Sequence, residues 1–289
     1  ILSANFLTGE FPLALSNLSK LTELRISSNN FTGQIPDIFP SWKQLEKLEI
    51  QAGGFEGPIP PSLAVLNNLK ELDLSFNRLE GKIADSNSLV STQYMYLTGN
   101  LLTGPIPEWL NTRDGRYQID LSYNNFSESS EQASCRENLN LFKSSSEGKN
   151  LGLDKCLKNF PCSKDWYSVH INCGGGATTI GDINYEEDED AGGPAKYFPI
   201  KETWETSSTG LFWDTSVSAK DYIAQNVSLL RTNNSNLYTT ARLSPLSLTY
   251  FVRCLANGNY TVTLHFAEIV NRQNSSFRSL GRRIFDVYV

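Results

Sequence analysis

Leu21-Thr22-Glu23-Leu24-Arg25-Ile26-Ser27-Ser28-Asn29-Asn30-Phe31-Thr32-Gly33-Gln34-Ile35-Pro36 is followed 24 residues on by a second copy, Leu45-Glu46-Lys47-Leu48-Glu49-Ile50-Gln51-Ala52-Gly53-Gly54-Phe55-Glu56-Gly57-Pro58-Ile59-Pro60. The shared frame is L-x-x-L-x-L-x-x-N-x-L-x-G-x-I-P. Leu69, Leu72, Leu74, Asn77, Leu79, Gly81 and Ile83 fill it again, then Met95, Leu97, Asn100, Leu102, Gly104, Ile106 and Pro107. Asn5 opens the series, and Ile119, Leu121, Asn124 and Phe126 close it. One such unit cannot bury its own leucines, so copies must stack into a solenoid with a continuous core. Period-2 alternation turns Leu72 and Leu74 inward and Asp73 outward to solvent. The recurring asparagine is expected to bond backbone left unpaired at the bend of each coil. Gly53, which lacks that side chain, is expected to make a weak rung.

This frame is the leucine-rich repeat, and its L-x-G-x-I-P form resembles the plant type. Each L-x-L becomes a strand of a parallel sheet on the concave face. Exposed Phe76, Tyr94, Tyr96, Tyr117 and Tyr123 gather on the later coils. They either anchor a partner or pack on neighbouring rungs and the next domain. The repeats occupy 1–128 and are read as incomplete at the N-terminal side. Ser- and Glu-rich residues of 129–165, punctuated by Cys135, Cys156 and Cys162, read as a cap and linker.

The chain has 289 residues and a net charge of -6, without a basic stripe, which argues against nucleic-acid binding. No apolar run approaches the ~20 residues of a membrane helix. Asn-x-Ser/Thr sequons begin at Asn17, Asn30, Asn125, Asn226, Asn233, Asn259 and Asn274. With the five cysteines they point to the secretory pathway.

Residues 166–289 change character. Tyr167 to Ile171, Tyr260 to Phe266 and Arg283 to Val289 alternate apolar and polar residues, and the turns are rich in Gly, Asn and Ser. An all-β sandwich or jelly roll is predicted. Ile171-Asn172-Cys173-Gly174-Gly175, the loop Tyr185 to Ala195, Trp204 with Ser207-Ser208-Thr209-Gly210, Leu237 to Arg242, Gly258 to Val262 with His265 to Ile269, and Gly281 to Val287 together resemble a malectin domain. That domain is read as incomplete at its C-terminal side. Repeats followed by such a domain are similar to the ectodomain of plant leucine-rich-repeat receptor-like serine/threonine kinases. The resemblance implies a plasma-membrane receptor with its ectodomain outside, held by a membrane helix not in this chain. It senses a peptide, protein or cell-wall glycan, with a possible coreceptor kinase. ATP and magnesium belong only to the absent kinase domain. The alternative reading is a soluble secreted decoy or a lectin-like carbohydrate-binding protein.

No catalytic residue, metal site or cofactor is assigned to these residues. His170 and His265 sit between apolar neighbours and read as structural. Gly174-Gly175-Gly176 lacks the setting of a phosphate loop. Glu186 to Asp190 reads as a solvated acidic loop, without the spacing of a calcium site. Relatives that bind disaccharide stack it on aromatic residues, where this chain has Leu243, Val270 and Asn271. Trp204, Phe212, Trp213 and Tyr222 offer another surface or pack in the core. Cys173 and Cys254, both at edges of predicted strands, are expected to pair. Cys162 would then pair with Cys135 or Cys156.

Overall fold

The computed structural model describes residues 1–84, 89, 91–127, 138–142, 161–198, 201–212, 222–226, 234–269 and 285–289. It divides into two compact units, Ile1–Pro161 with Pro194–Phe198, and Cys162–Gly193 with Pro199–Val289.

In the first unit the L-x-L segments build a six-stranded inner sheet. Glu23–Arg25, Lys47–Glu49, Glu71–Asp73, Tyr94–Tyr96, Gln118–Asp120 and Leu139–Asn140 lie side by side in chain order, all parallel. The first five end on Arg25, Glu49, Asp73, Tyr96 and Asp120, one residue past the middle residue of each strand. A second parallel sheet of four strands, Glu56–Pro58, Arg78–Gly81, Leu101–Pro105 and Asn125–Ser127, forms the outer side. The motif glycines Gly33, Gly57, Gly81 and Gly104 enter that side with φ between +78° and +82°, which explains a glycine there. Short 3-10 turns at Leu13–Asn17, Phe39–Ser41 and Pro61–Val65 return the chain. Leu24, Leu48, Leu72, Met95 and Ile119 fill the core between the sheets.

The asparagines do what the repeat requires of them. Asn77 Oδ1 accepts from the Gly53 and Phe55 N–H groups of the preceding coil, at 3.0 and 3.2 Å. Its amide donates to the Ile50 and Leu74 carbonyls. Asn100 and Asn124 repeat the pattern on Leu79 and Leu102. One residue earlier, the chain passes through the left-handed region at Ser28, Ala52, Phe76, Gly99 and Tyr123. A bulky residue seldom adopts this conformation, so the asparagine bonds beside Phe76 and Tyr123 offset local strain. At Gly53 a side chain would strike the Phe55 ring, which stacks on Phe31 with centroids 5.5 Å apart. Aromatic packing fills the coil whose asparagine is missing.

In the second unit, Ile171–Cys173 pairs in parallel with Glu186 to Asp188. Thr178–Ile180 pairs antiparallel with Ile183 to Tyr185, Trp204–Thr209 with Ser247–Val252, and Ile223–Gln225 with Thr240–Arg242. Trp204–Thr209 is buried along its whole length. The first expected strand of this half starts late, at Ile171. The expected strand Tyr260 to Phe266 joins no ladder among the described residues, with Tyr260, Val262, Leu264 and Phe266 exposed. Residues 285–289 are likewise unpaired among the described residues, although Phe285 meets Phe266 at 5.3 Å. Alternation gives these segments a strand's face, but pairing makes the strand.

Candidate recognition surface

The register of the inner sheet lines its outward residues into rows. Glu23, Lys47, Glu71, Tyr94 and Gln118 form one row. Arg25, Glu49, Asp73, Tyr96, Asp120 and Asn140 form the next. Neighbouring strands stand about 4.8 Å apart, so each side chain in a row is flanked on both sides. The second row is consequently closed over. Asp73 is 1% exposed, and Tyr96 and Asp120 are at 0%. This corrects two expectations: Asp73 does not face solvent, and Tyr96 is not an exposed anchor.

The other four aromatic candidates remain at least partly accessible. Phe76 is 38% exposed, and its ring lies where a side chain on Gly99 would stand. Tyr94 is half-buried in the outer row. Tyr117 is half-buried beneath the Arg113 guanidinium, 4.2 Å from the ring centre, and that guanidinium also lies over Trp109. Tyr123, half-buried, stands edge-on to Phe142 with centroids 5.6 Å apart. Aligning the L-x-L segments puts Glu71 and Gln118 on the same outward face as Tyr94, and the register sets them beside it, whereas Arg113, which lies outside the strands, was missed by the sequence reading.

Charge on the early coils is paired: Arg25 with Glu23 at 2.5 Å, Lys47 with Glu71 at 3.2 Å, and Lys70 with Glu46 at 2.7 Å. Burial raises the Asp73 carboxyl to about 7, against hydrogen bonds from Ser75 and assisted by Glu49 and Asp120. Burial also raises Glu71, which Lys47 opposes, and raises Tyr94, which Glu71 assists.

Residues 167–289 match the Malectin domain family, and residues 20–42 and 68–88 match the Leucine Rich Repeat family. The chain carries leucine-rich repeats and a malectin domain. It is similar to probable LRR receptor-like serine/threonine-protein kinases of Arabidopsis thaliana. One is 40% identical over 197 residues, 68% of this chain and 19% of the relative; another is 38% identical over 213 residues, 71% and 20%. The chain therefore spans about a fifth of the length of these relatives. Among solved structures, the LRR ectodomain of the Arabidopsis receptor kinase GASSHO1/SCHENGEN3, in complex with Casparian strip integrity factor 2, is 30% identical. It covers 51% of this chain and 18% of that one, with a TM-score of 0.45. A plant ice-binding protein is 32% identical over 48% of this chain and 46% of its own, with a TM-score of 0.42.

Within the second unit the cysteine expectation is overturned. Cys162 is bonded to Cys254, with Cα atoms 5.6 Å apart, and Cys173 is free. Backbone bonds from Trp166 N–H to the Cys254 carbonyl and from Ala256 N–H to the Trp166 carbonyl bring the domain's first residues beside Cys254. Cys173 instead lies in a strand near Tyr250 and Asp188, where burial pushes its thiol up. Cys135 and Cys156 lie outside the described residues. The acidic run is also not wholly solvated. Asp188 is buried, paired with Arg242 at 2.5 Å, and accepts from Tyr250 Oη at 2.7 Å and from Gly174 N–H at 3.1 Å. Glu186 accepts from the Trp204 indole at 3.0 Å.

Trp204 and Tyr222 are buried, so neither adds to an open stacking surface. Val270, Asn271 and Trp213 lie outside the described residues. His170 stands edge-on to Tyr185, and His265 Nδ1 is 3.1 Å from Tyr238 Oη. Of the sequons, Asn17, Asn30, Asn125 and Asn259 are exposed, whereas Asn226 is buried. Asn233 and Asn274 lie outside the described residues.

Proposed function

We propose that these residues are the extracellular ligand-recognition region of a plant receptor-like kinase, and that the inner sheet of the repeats receives a peptide or protein. The observation that carries this reading is the extent of the similarity to receptor-like kinases. An aligned stretch of 197 residues is longer than either unit, so it takes in parts of both. The disposition of sequons supports it: of the three described ones in the repeats, Asn17 ends a 3-10 turn, Asn30 lies in the short strand Asn30–Phe31 paired with Thr8–Gly9, and Asn125 lies in the outer sheet, all off the inner sheet. The Cys162–Cys254 bridge suits an oxidising compartment. The reading assigns catalysis, with ATP and magnesium, to a kinase domain beyond these residues. It assigns anchorage in the plasma membrane to a helix between the two, and allows a coreceptor to complete the signal.

Sequencing the transcript downstream of the Val289 codon tests this. An open frame running through an apolar helix into a kinase is expected. A stop codon after the malectin domain, with neither present, overturns the receptor reading in favour of a secreted decoy.

A further inference from the structure

Asn257-Gly258 is the one Asn-Gly pair in the sequence, and it lies on the bend between the Trp166–Leu255 bridge and Tyr260. The chain on either side is held. Trp166 N–H donates to the Cys254 carbonyl, Ala256 N–H to the Trp166 carbonyl, and Tyr260 Oη to the Ala256 carbonyl at 2.6 Å. Between these anchors Asn257 and Gly258 are exposed, and neither the Asn257 amide nor the Gly258 N–H makes a hydrogen bond among the described residues. The space where a Gly258 side chain would stand is empty. Nothing there hinders the Gly258 nitrogen from approaching the Asn257 side chain, and glycine, without a Cβ, adds no bulk of its own. Elsewhere the fold guards such groups. Asp114-Gly115, the one Asp-Gly pair, is exposed too, but both Asp114 oxygens accept from Arg116 at 2.8 to 3.2 Å. That pairing holds the Asp114 carboxyl at about 2, and an ionised carboxylate resists attack. The side-chain amides of Asn77, Asn100 and Asn124 are locked onto the backbone of two coils.

We propose that Asn257 is a modification site, at which the malectin domain acquires an isoaspartyl or aspartyl residue by reaction with its own backbone and water. The Gly258 nitrogen attacks Asn257 Cγ, and the new N–Cγ bond closes a cyclic imide. The Cγ–Nδ2 bond breaks, and the Gly258 amide proton leaves with the ammonia released. Water then opens the ring. Cleavage of the N–Cγ bond leaves aspartate. Cleavage of the bond between that nitrogen and the Asn257 main-chain carbonyl leaves isoaspartate, with the backbone routed through Cγ. Either product carries a negative charge that asparagine lacks, on an exposed bend beside the Asn259 sequon. The reaction does not depend on the receptor reading, and either can stand without the other.

The test is incubation of the whole folded chain in mildly alkaline and mildly acidic buffers, followed by peptide mapping in which an isoaspartyl methyltransferase labels isoaspartate. The label is expected at 257 ahead of the other asparagines and of Asp114. It should accumulate faster in the alkaline buffer, because the attacking nitrogen must lose its proton. Enzymatic glycan removal turns a glycosylated Asn259 into aspartate and not isoaspartate, so the label keeps the two residues apart. Gly258→Ala, whose methyl group meets no atom of the fold, should slow labelling several-fold by crowding the attack. Asn257→Gln, which would have to close a larger ring, should abolish it. Absence of isoaspartate at 257, its earlier appearance at another residue of the folded chain, or a rate indifferent to Gly258→Ala overturns the proposal.

Discussion

Asp73 is in register with Glu49 on one side and Tyr96 on the other, and burial makes its ionised form expensive. Its carboxyl is raised from 3.8 to about 7. Because the folded chain holds this proton more tightly than the unfolded chain, the associated stability is full below about pH 4. It is lost as pH rises through 7. Asp73→Asn, which keeps an acceptor for Ser75 and cannot ionise, should flatten this dependence. Melting temperatures of the whole chain between pH 4.5 and 8, roughly the span of the two values, are the measurement. The wild type should fall relative to the variant by an amount on the order of a few kcal/mol. Parallel curves for the two proteins would show that Asp73 is not the titrating group. Asp73→Ala, which a solvent-facing side chain would tolerate, should instead cost roughly 1–3 kcal/mol by stripping buried Ser75 of its partner.

At the scale of elements, each coil depends on its neighbour through one asparagine. Asn77→Ala should cost roughly 3 kcal/mol, because the buried N–H groups of Gly53 and Phe55 lose their acceptor. Asn29, half-exposed, should cost less, since water can replace it. Leu72→Ala should cost ~2–5 kcal/mol through the cavity it leaves. Chemical denaturation of these three variants ranks them. The coil was legible because its leucines, asparagines and glycines each answer a local requirement that recurs every 24 residues or nearly so. The burial of Tyr96 and Asp73 was not, because it depends on what stands beside them in neighbouring strands. The cysteine pairing was hidden for a similar reason. Cys162 meets Cys254 across 92 residues, through a backbone contact at Trp166 that no spacing announces. Cleavage without reduction should recover the 162–254 peptide pair, with Cys173 open to alkylation after unfolding. Losing the bridge should destabilise the malectin domain by ~2–5 kcal/mol.

Over the whole molecule, the fold sorts sequons that look alike in sequence. Asn30 and Asn125 occupy the same place in their coils, each directly after the buried or half-buried asparagine and directly before a buried phenylalanine. Alternation therefore sends both outward from their strands. Asn17 is exposed at the end of a 3-10 turn, and Asn259 is exposed after the bend at Asn257-Gly258. Asn226 has the same triplet but is buried at the end of the strand Ile223–Gln225, where its N–H donates to the Thr239 carbonyl at 2.7 Å. A glycan on its side-chain amide would have to be housed inside the fold. Secreted from a glycosylating host, the folded chain should carry glycans at Asn17, Asn30, Asn125 and Asn259 and none at Asn226. Glycopeptide mass mapping reads each site separately. Adding a sequon on the inner sheet at Gln93 (Gln93→Asn with Met95→Thr) would confound packing with glycosylation, since Met95 is core. The cleaner control is Asn226→Gln, which should leave the mass of the secreted glycoprotein unchanged apart from the substitution. Full occupancy of Asn226 would mean that its side chain is open to solvent and not buried.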